Sequence, residues 1–128
     1  MTKISLVQCD DYSKTDNAVR EVVNLIGGMS VFIKPSERIL IKPNLLSPKD
    51  PSKAVTTHPE IVRAVTRLLK EVGAVPLVGD SHGGAIRDIN LWKVTLMEKI
   101  CVEENVKLVN FEAVSSKEFD IGDKNIKK

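Results

Sequence analysis

Two runs of the sequence contain side chains that can bind or convert a ligand. The first, Lys42-Pro43-Asn44, follows the apolar run Ile39–Ile41, which is typical of a buried strand. A lysine in this position can reach an anionic group, Asn44 offers a donor and an acceptor, and Pro43 stiffens the exit from the strand. The alternative is a solvated lysine beside an asparagine that closes its own turn.

The second run is a glycine-rich loop after the apolar run Val75–Val78. Besides Gly79, it contains an acid, a hydroxyl, a base and two further glycines: Asp80, Ser81, His82, Gly83 and Gly84. Glycines allow a backbone to approach a phosphate closely. The run lacks the GxGxxG spacing, and Ala85 stands where a P-loop requires lysine. Near-adjacent residues rarely form a catalytic triad, so the choice is between ligand binding and a flexible turn.

A third group stands at the start of a strongly predicted helix. Thr57 and Glu60 match a capping box, and Pro59 suits the first helical turn. Thr56, Thr57 and the unpaired amides of a helix N-terminus can also contact an anion. His58 can titrate near neutral pH, although a lone histidine before proline is more often a surface residue.

Strands and helices alternate along the chain and must position these groups. Apolar runs predict strands at residues 3–8, 38–42, 75–78 and 107–111, with a further short piece at 118–122. Helical spacing of apolar residues predicts helices at residues 16–26, 59–72 and 88–103. Residues 29–36 are predicted to form a turn or a short edge segment. Continuous apolarity at Ile39–Ile41 predicts a strand that is buried on both faces.

This alternation predicts an α/β fold, a Rossmann-like three-layer sandwich with a mostly parallel sheet of four or five strands. The 128 residues suit one α/β domain, residues 1–128. Parallel strands place their following loops at one edge, so we expect Lys42, Asn44, Asp80 and Ser81 to lie together. A lysine aimed into that edge should pair with Asp80 until an anionic ligand displaces this partner, whereas a snorkelling lysine would point into solvent.

The loop Cys9–Tyr12 should reach the same edge, which raises the alternative of a metal site. Its side chains would come from three loops: Asp10, Asp11, His58, Asp80 and His82. Nothing in their spacing demands a metal, and the metal assignment stays open.

Composition excludes several classes of protein. Hydrophobic residues make up 42%, charged residues 28% and aromatic residues only 4%, with a net charge of +2. This is a soluble globular composition that offers little for nucleic-acid stacking and no argument for membrane binding. Two cysteines, Cys9 and Cys101, cannot hold a four-cysteine iron–sulfur cluster. We therefore expect free thiols, no cluster in this chain and, without a signal peptide, a cytoplasmic location.

Three blocks between residues 39 and 84 resemble the family catalogued as domain of unknown function 362: ILIKPNLL, TTHPEIVRAVTRLLKEVGA and VPLVGDSHGG. The resemblance implies an α/β fold and a prokaryotic cytoplasmic protein. Many relatives are longer, with a second half and sometimes a ferredoxin-like cluster module. The chain then resembles the N-terminal part of such a protein, or a truncated piece of one. The resemblance supports the site through the residues that match: Lys42, Asn44, Thr57, His58, Asp80 and Ser81.

The leading hypothesis is a site for a small phosphate- or carboxylate-bearing ligand, which a second domain could complete as an enzyme site. Three residues have the catalytic roles, Lys42 supplying charge and Asp80 or His82 handling protons. The others would bind the ligand: Asn44, Thr56, Thr57, His58, Ser81, Gly83 and Gly84. The alternative is a non-catalytic subunit of an iron–sulfur electron-transfer protein, with its cluster on another module or a redox partner. A purely structural fragment is the third interpretation.

Overall fold

A computed structural model describes residues 2–81, 90–113 and 115 of the chain. The described part contains three strands: β1 (Arg38–Ile41), β2 (Val75–Asp80) and β3 (Lys107–Asn110). It contains four α-helices: α1 (Thr15–Asn24), α2 (Pro59–Glu71), α3 (Leu91–Val94) and α4 (Met97–Glu103). Short 3₁₀ turns lie between them at Tyr12–Lys14, Met29–Val31, Pro51–Lys53 and Phe111–Ala113.

The three strands form one parallel sheet in the order β1-β2-β3. Crossovers between parallel strands are right-handed as a rule. Two successive crossovers that advance in the same direction along a sheet therefore place their helices on the same face. The contacts agree, because α2 packs on β1 and β2 while α4 packs on β3 and on α2. α1 packs on α2.

The core lies between this helical layer and one face of the sheet. Val78, in the central strand, is fully buried there. The residues that surround it come from the loop after β1 and from the helices: Leu45, Val62, Leu91, Met97, Ile100 and Cys101. Ile41 and Leu108, from the outer strands, are partly buried against this cluster.

The prediction that β1 is buried on both faces is wrong. Leu40 is 48% exposed, because it points away from the helices while its neighbours Ile39 and Ile41 are half-buried. Continuous apolarity indicated two covered faces, but the helices of the described residues cover only one. The α/β class and the parallel sheet are confirmed; the sheet has three strands in the described part, where four or five were predicted.

The predicted strand at residues 3–8 is also wrong. Within the described chain these residues belong to no strand, and Ile4 and Leu6 are each 91% exposed. The segment is attached to α1 instead, where the Ser5 hydroxyl donates a hydrogen bond to the Val22 carbonyl at 2.7 Å. The apolar residues Ile4, Leu6 and Val7 suit a strand, but a strand also requires a partner edge.

The other elements follow the predictions with one further exception. The helices at 16–26 and 59–72, the turn at 29–36 and the strands at 38–42, 75–78 and 107–111 are confirmed to within two residues. The predicted helix 88–103 is interrupted, because Leu96 adopts a left-handed conformation with φ 61° between α3 and α4. Residues 88–89 and the predicted piece at 118–122 lie outside the described residues. No helix of the described part is long and apolar enough to cross a membrane.

Candidate functional site

The carboxyl ends of β1 and β2 bring Lys42 and Asp80 together. Ile41 pairs with Val78 in the parallel register, so the residues that follow both strands leave the sheet at the same edge. The Lys42 Nζ lies 3.0 Å from Asp80 Oδ1 and donates to Asn44 Oδ1 at 3.2 Å. The lysine side chain is still 54% exposed, so its ammonium group is oriented by two partners and remains accessible from solvent.

Asp80 is the anchor of this edge. It is only 2% exposed, and each carboxylate oxygen accepts a hydrogen bond from a backbone amide. Oδ2 accepts from the Leu45 amide at 2.8 Å, and Oδ1 accepts from the Ser81 amide at 2.9 Å. Together with Lys42, three donors compensate the buried carboxylate, as a buried acid requires. Asp80 therefore fixes the backbone on both sides of the site.

The loop between β1 and α2 is fixed at three points. The side chain of Leu45 is 1% exposed and enters the core one residue after Asn44. Pro51 is buried in a 3₁₀ turn that Asp50 caps by accepting from the Ser52 amide at 2.9 Å. At its end the Thr57 amide donates to the Asn44 carbonyl at 3.4 Å. These contacts hold the Asn44 backbone against the start of α2.

The start of α2 differs from the predicted capping box. The capping residue is His58, whose Nδ1 accepts from the Glu60 amide at 3.3 Å, and Thr57 does not cap. Pro59 occupies the first helical position, which moves the cap to the residue before it. The Glu60 carboxylate does not reach back to the cap, because it accepts from Arg63 Nε at 2.9 Å.

This cap uses donors that were predicted to be open to an anion. The Glu60 amide is bonded to His58 Nδ1, the Ile61 amide donates to the His58 carbonyl at 3.0 Å, and Pro59 has no amide hydrogen. The accessible positive charge at this edge therefore comes from Lys42 more than from the helix end.

Tyr12 is a contact that the sequence interpretation missed. Its ring stacks on His58 with 3.4 Å between the ring centroids and 7° between the ring planes. Desolvation lowers the pKa of His58, against an opposing effect of the Glu60 carboxylate. The prediction that the loop Cys9–Tyr12 reaches this edge contained the signal, but nothing in the sequence singled out the tyrosine.

The remaining candidates divide into two groups. Thr56 is half-buried beside Thr57, and Ser81 is exposed after Asp80. His82, Gly83 and Gly84 lie outside the described residues.

Asp10 and Asp11, two of the acidic residues considered as metal ligands, accept hydrogen bonds from residues close to them in sequence. Asp10 accepts from Gln8 Nε2 at 2.8 Å, and Asp11 caps the first 3₁₀ turn through the Ser13 amide, which lowers its pKa. In the part of the chain that the structure describes, no three His, Cys, Asp or Glu side chains are grouped to hold a metal ion. Cys9 and Cys101 are both free, and burial raises the pKa of Cys101 to about 11.

Comparison with known proteins gives a family and one named relative. The sequence model of a family described as Domain of unknown function (DUF362) matches residues 39–128. The chain is also similar to "Thylakoid-associated protein sll1697" of Synechocystis sp., with 39% identity over 80 residues. That match covers 61% of this chain and 25% of the relative, so the chain spans only a minor part of the relative's length. No solved structure matches the chain.

Proposed function

The chain belongs to the DUF362 family, whose description names no activity, and we propose that it binds a small anionic ligand beside Lys42. The ligand carries a phosphate or carboxylate group that the lysine ammonium contacts at the carboxyl ends of β1 and β2. The observation that carries this proposal is the position of Lys42, which two partners hold at 3.0 and 3.2 Å while the side chain stays 54% exposed.

Each neighbouring residue has a role in the proposal. Asp80 positions the Leu45 and Ser81 backbone and the lysine; three donors already occupy its carboxylate, which favours this role over proton transfer. Asn44 and the Ser81 hydroxyl orient the ligand, and the Thr56 and Thr57 hydroxyls can donate to it from the start of α2. An incoming anion competes with Asp80 for the lysine, so binding exchanges one ion pair for another.

The enzymatic version of this proposal needs more residues than Lys42 and Asp80. His82, Gly83 and Gly84 follow the site directly in sequence and would supply a base and a phosphate-binding backbone. A second domain would complete the site. The competing interpretation, a subunit of an iron–sulfur electron-transfer protein, has no specific observation in its favour. The cytoplasmic location is likewise a proposal, and the name of the relative adds thylakoid association as a second one.

The charge of Lys42 is tested by Lys42→Met, which keeps the length of the side chain. A thermal-shift screen of inorganic phosphate, pyrophosphate, nucleotides and di- and tricarboxylic acids first identifies the best ligand, and calorimetry then measures its affinity. We expect the variant to bind at least about tenfold more weakly, the loss of a charge-assisted hydrogen bond. The free energy of unfolding should change by less than about 1 kcal/mol, because half of the lysine side chain is exposed and Asp80 keeps the Leu45 and Ser81 amides as donors.

The matched control is Lys53→Met, an exposed lysine in the 3₁₀ turn of the same loop. It removes the same charge from the chain without touching Asp80, so its ligand affinity should stay that of the unmodified protein. Equal losses of ligand affinity in both variants would mean that the effect depends only on the net charge of the chain. Unchanged affinity of Lys42→Met with a large loss of stability would make Lys42 structural and overturn the proposal.

A further inference from the structure

The sheet face that points away from α2 and α4 has a distinctive composition. Successive side chains of a strand alternate between faces, so this face carries every second residue of each strand. Its apolar residues are Leu40, Val75, Leu77 and Val109, and its two charged residues are Arg38 and Lys107. We call these six residues the open face.

The open face is only partly covered by the residues that the structure describes. Leu40 and Val75 are each 48% exposed, although neither is at a chain end. At the carboxyl edge the ring of Phe111 closes over Gly79, where an added Cβ would lie 2.7 Å from Phe111 Cε1. The phenylalanine thus covers one end of the face, while Leu40 and Val75 stay accessible among the residues that the structure describes.

The two cations are placed on opposite sides of the apolar centre. Arg38 lies in β1 opposite Val75 of the central strand, and Lys107 lies in β3 opposite Leu77. Both are exposed. A ligand that covers the apolar centre must therefore contact or approach a positive charge on each flank.

We propose that the open face docks one amphipathic helix of a partner protein, whose apolar stripe is flanked on both sides by Asp or Glu. Parallel sheets occur almost only with helices on both faces, and the helical layer here accounts for one. A helix on the open face would complete the three-layer arrangement that the sequence predicts. Its acidic flanks would match Arg38 on one side and Lys107 on the other.

The charges argue against a second copy of the chain and against a membrane surface as the occupant of the open face. A second copy packed face to face would bring four cations, Arg38 and Lys107 of each protomer, into one interface, and like charges in an interface are costly. A membrane surface is recognised through larger clusters of basic residues, about four to eight, and the open face has two. Charge complementarity thus selects an acidic helix.

The test uses two synthetic helical peptides with the same leucine stripe at i, i+3, i+4 and i+7. One has glutamate and the other lysine on both flanks, and fluorescence anisotropy measures their binding to the intact chain. We expect the acidic peptide to bind at least about tenfold more tightly than the basic one. The double variant Arg38→Glu/Lys107→Glu should reverse this preference, and Leu40→Gln should weaken both peptides.

A matched control reverses two exposed lysines elsewhere, Lys49→Glu and Lys93→Glu, and should retain the preference for the acidic peptide. Failure of both peptides to bind, equal binding of both, or a preference that the control reverses as well would overturn the proposal. Two further measurements use the same variants. If the acidic peptide does not bind but the chain dimerises in sedimentation, and Arg38→Glu/Lys107→Glu abolishes the dimer, the face is assigned to a second copy. If the acidic peptide does not bind but the chain binds anionic vesicles, and the double variant abolishes that binding, the face is assigned to a membrane.

Discussion

His58 makes two contacts that depend on its protonation state. Its Nδ1 accepts the Glu60 amide at the start of α2, and its ring stacks on Tyr12. An accepting Nδ1 means that the proton of the neutral ring is on Nε2. Protonation would place a hydrogen on Nδ1, remove the acceptor and leave the Glu60 amide without its cap. The desolvation that lowers the pKa of His58 acts in the same direction.

We therefore expect the domain to lose stability on acidification through this residue. The pKa of His58 is lower in the folded state than its ordinary value of 6.5. The unfolded chain then binds more protons below that pH, so the contribution is complete above 6.5 and is lost as the pH falls through the folded-state pKa. Urea denaturation between pH 7.5 and 5 should show this loss, of the order of an N-cap, roughly 0.5–1 kcal/mol.

His58→Asn is the informative variant, because asparagine caps helices without titrating in this range. It should flatten the pH dependence of the free energy of unfolding between pH 7.5 and 5. If His58→Asn kept the full pH dependence, the titrating group would lie elsewhere.

Sequence reasoning at the residue scale succeeded where topology decides position. The pairing of Lys42 with Asp80 followed from two neighbouring parallel strands that end in polar residues. It failed where the partner was a backbone atom or a distant ring, as for the Leu45 amide on Asp80 and for Tyr12 on His58. The capping-box pattern at Thr57 does not predict the cap, because Pro59 occupies the first helical position and makes His58 the capping residue.

At the scale of elements, a network of ion pairs ties the helical layer together. Arg63 of α2 donates to Glu60 of its own helix, to Glu103 at the end of α4 and to Glu104 just beyond it, at 2.6–2.9 Å. Arg67 shares Glu104 at 2.8 Å. The Arg63 side chain is 16% exposed, and although its desolvation acts to lower its pKa, the hydrogen bonds to these acids raise the pKa overall. Arg63 thus joins α2 and α4 in a partly buried place.

Arg63→Met tests how much this network contributes. We expect it to lower the free energy of unfolding by about 1–3 kcal/mol. The reason is that the Glu104 side chain, which is only 11% exposed, loses one of its cationic partners. Guanidinium denaturation is avoided because the salt screens ion pairs; urea at low and high NaCl is suitable.

Arg20→Met is the comparison. Arg20 pairs with Glu71 at 2.6 Å between α1 and α2, but both side chains are more than a third exposed. Arg20→Met should lower the free energy of unfolding less than Arg63→Met does, and the decrease should depend more strongly on salt. Equal losses for both variants would mean that the burial of Arg63 adds nothing.

The helix break at Leu96 is the element that periodicity did not predict. Leu96 lies inside the predicted continuous helix 88–103, yet it is 39% exposed in a left-handed conformation. The break changes the phase of the helix, so that Leu91, Met97 and Ile100 become the buried residues. No glycine or proline marks the position, and tertiary packing overrides the local helical preference there.

For the molecule as a whole, the main difference from the sequence interpretation is that the sheet of the described residues has one covered face. Apolar runs report that a strand prefers burial, but they do not report which element provides it. The apolar residue Leu40 satisfies the pattern and is still half-exposed. The same ambiguity affects residues 3–8, where apolar residues that suit a strand are present without a partner strand.

That segment gives the last prediction, which concerns backbone protection across the domain. β2 is bonded to strands on both sides, while residues 2–9 belong to no strand in the described chain. Amide hydrogen exchange should therefore be at least about a hundredfold slower at Leu77–Gly79 than at Ser5–Gln8, because exchange reports local opening. Ser5→Ala, which removes the bond to Val22, should leave this order unchanged. Comparable protection of the two segments would mean that residues 3–8 pair as a strand in solution, and that the originally predicted sheet is the correct one.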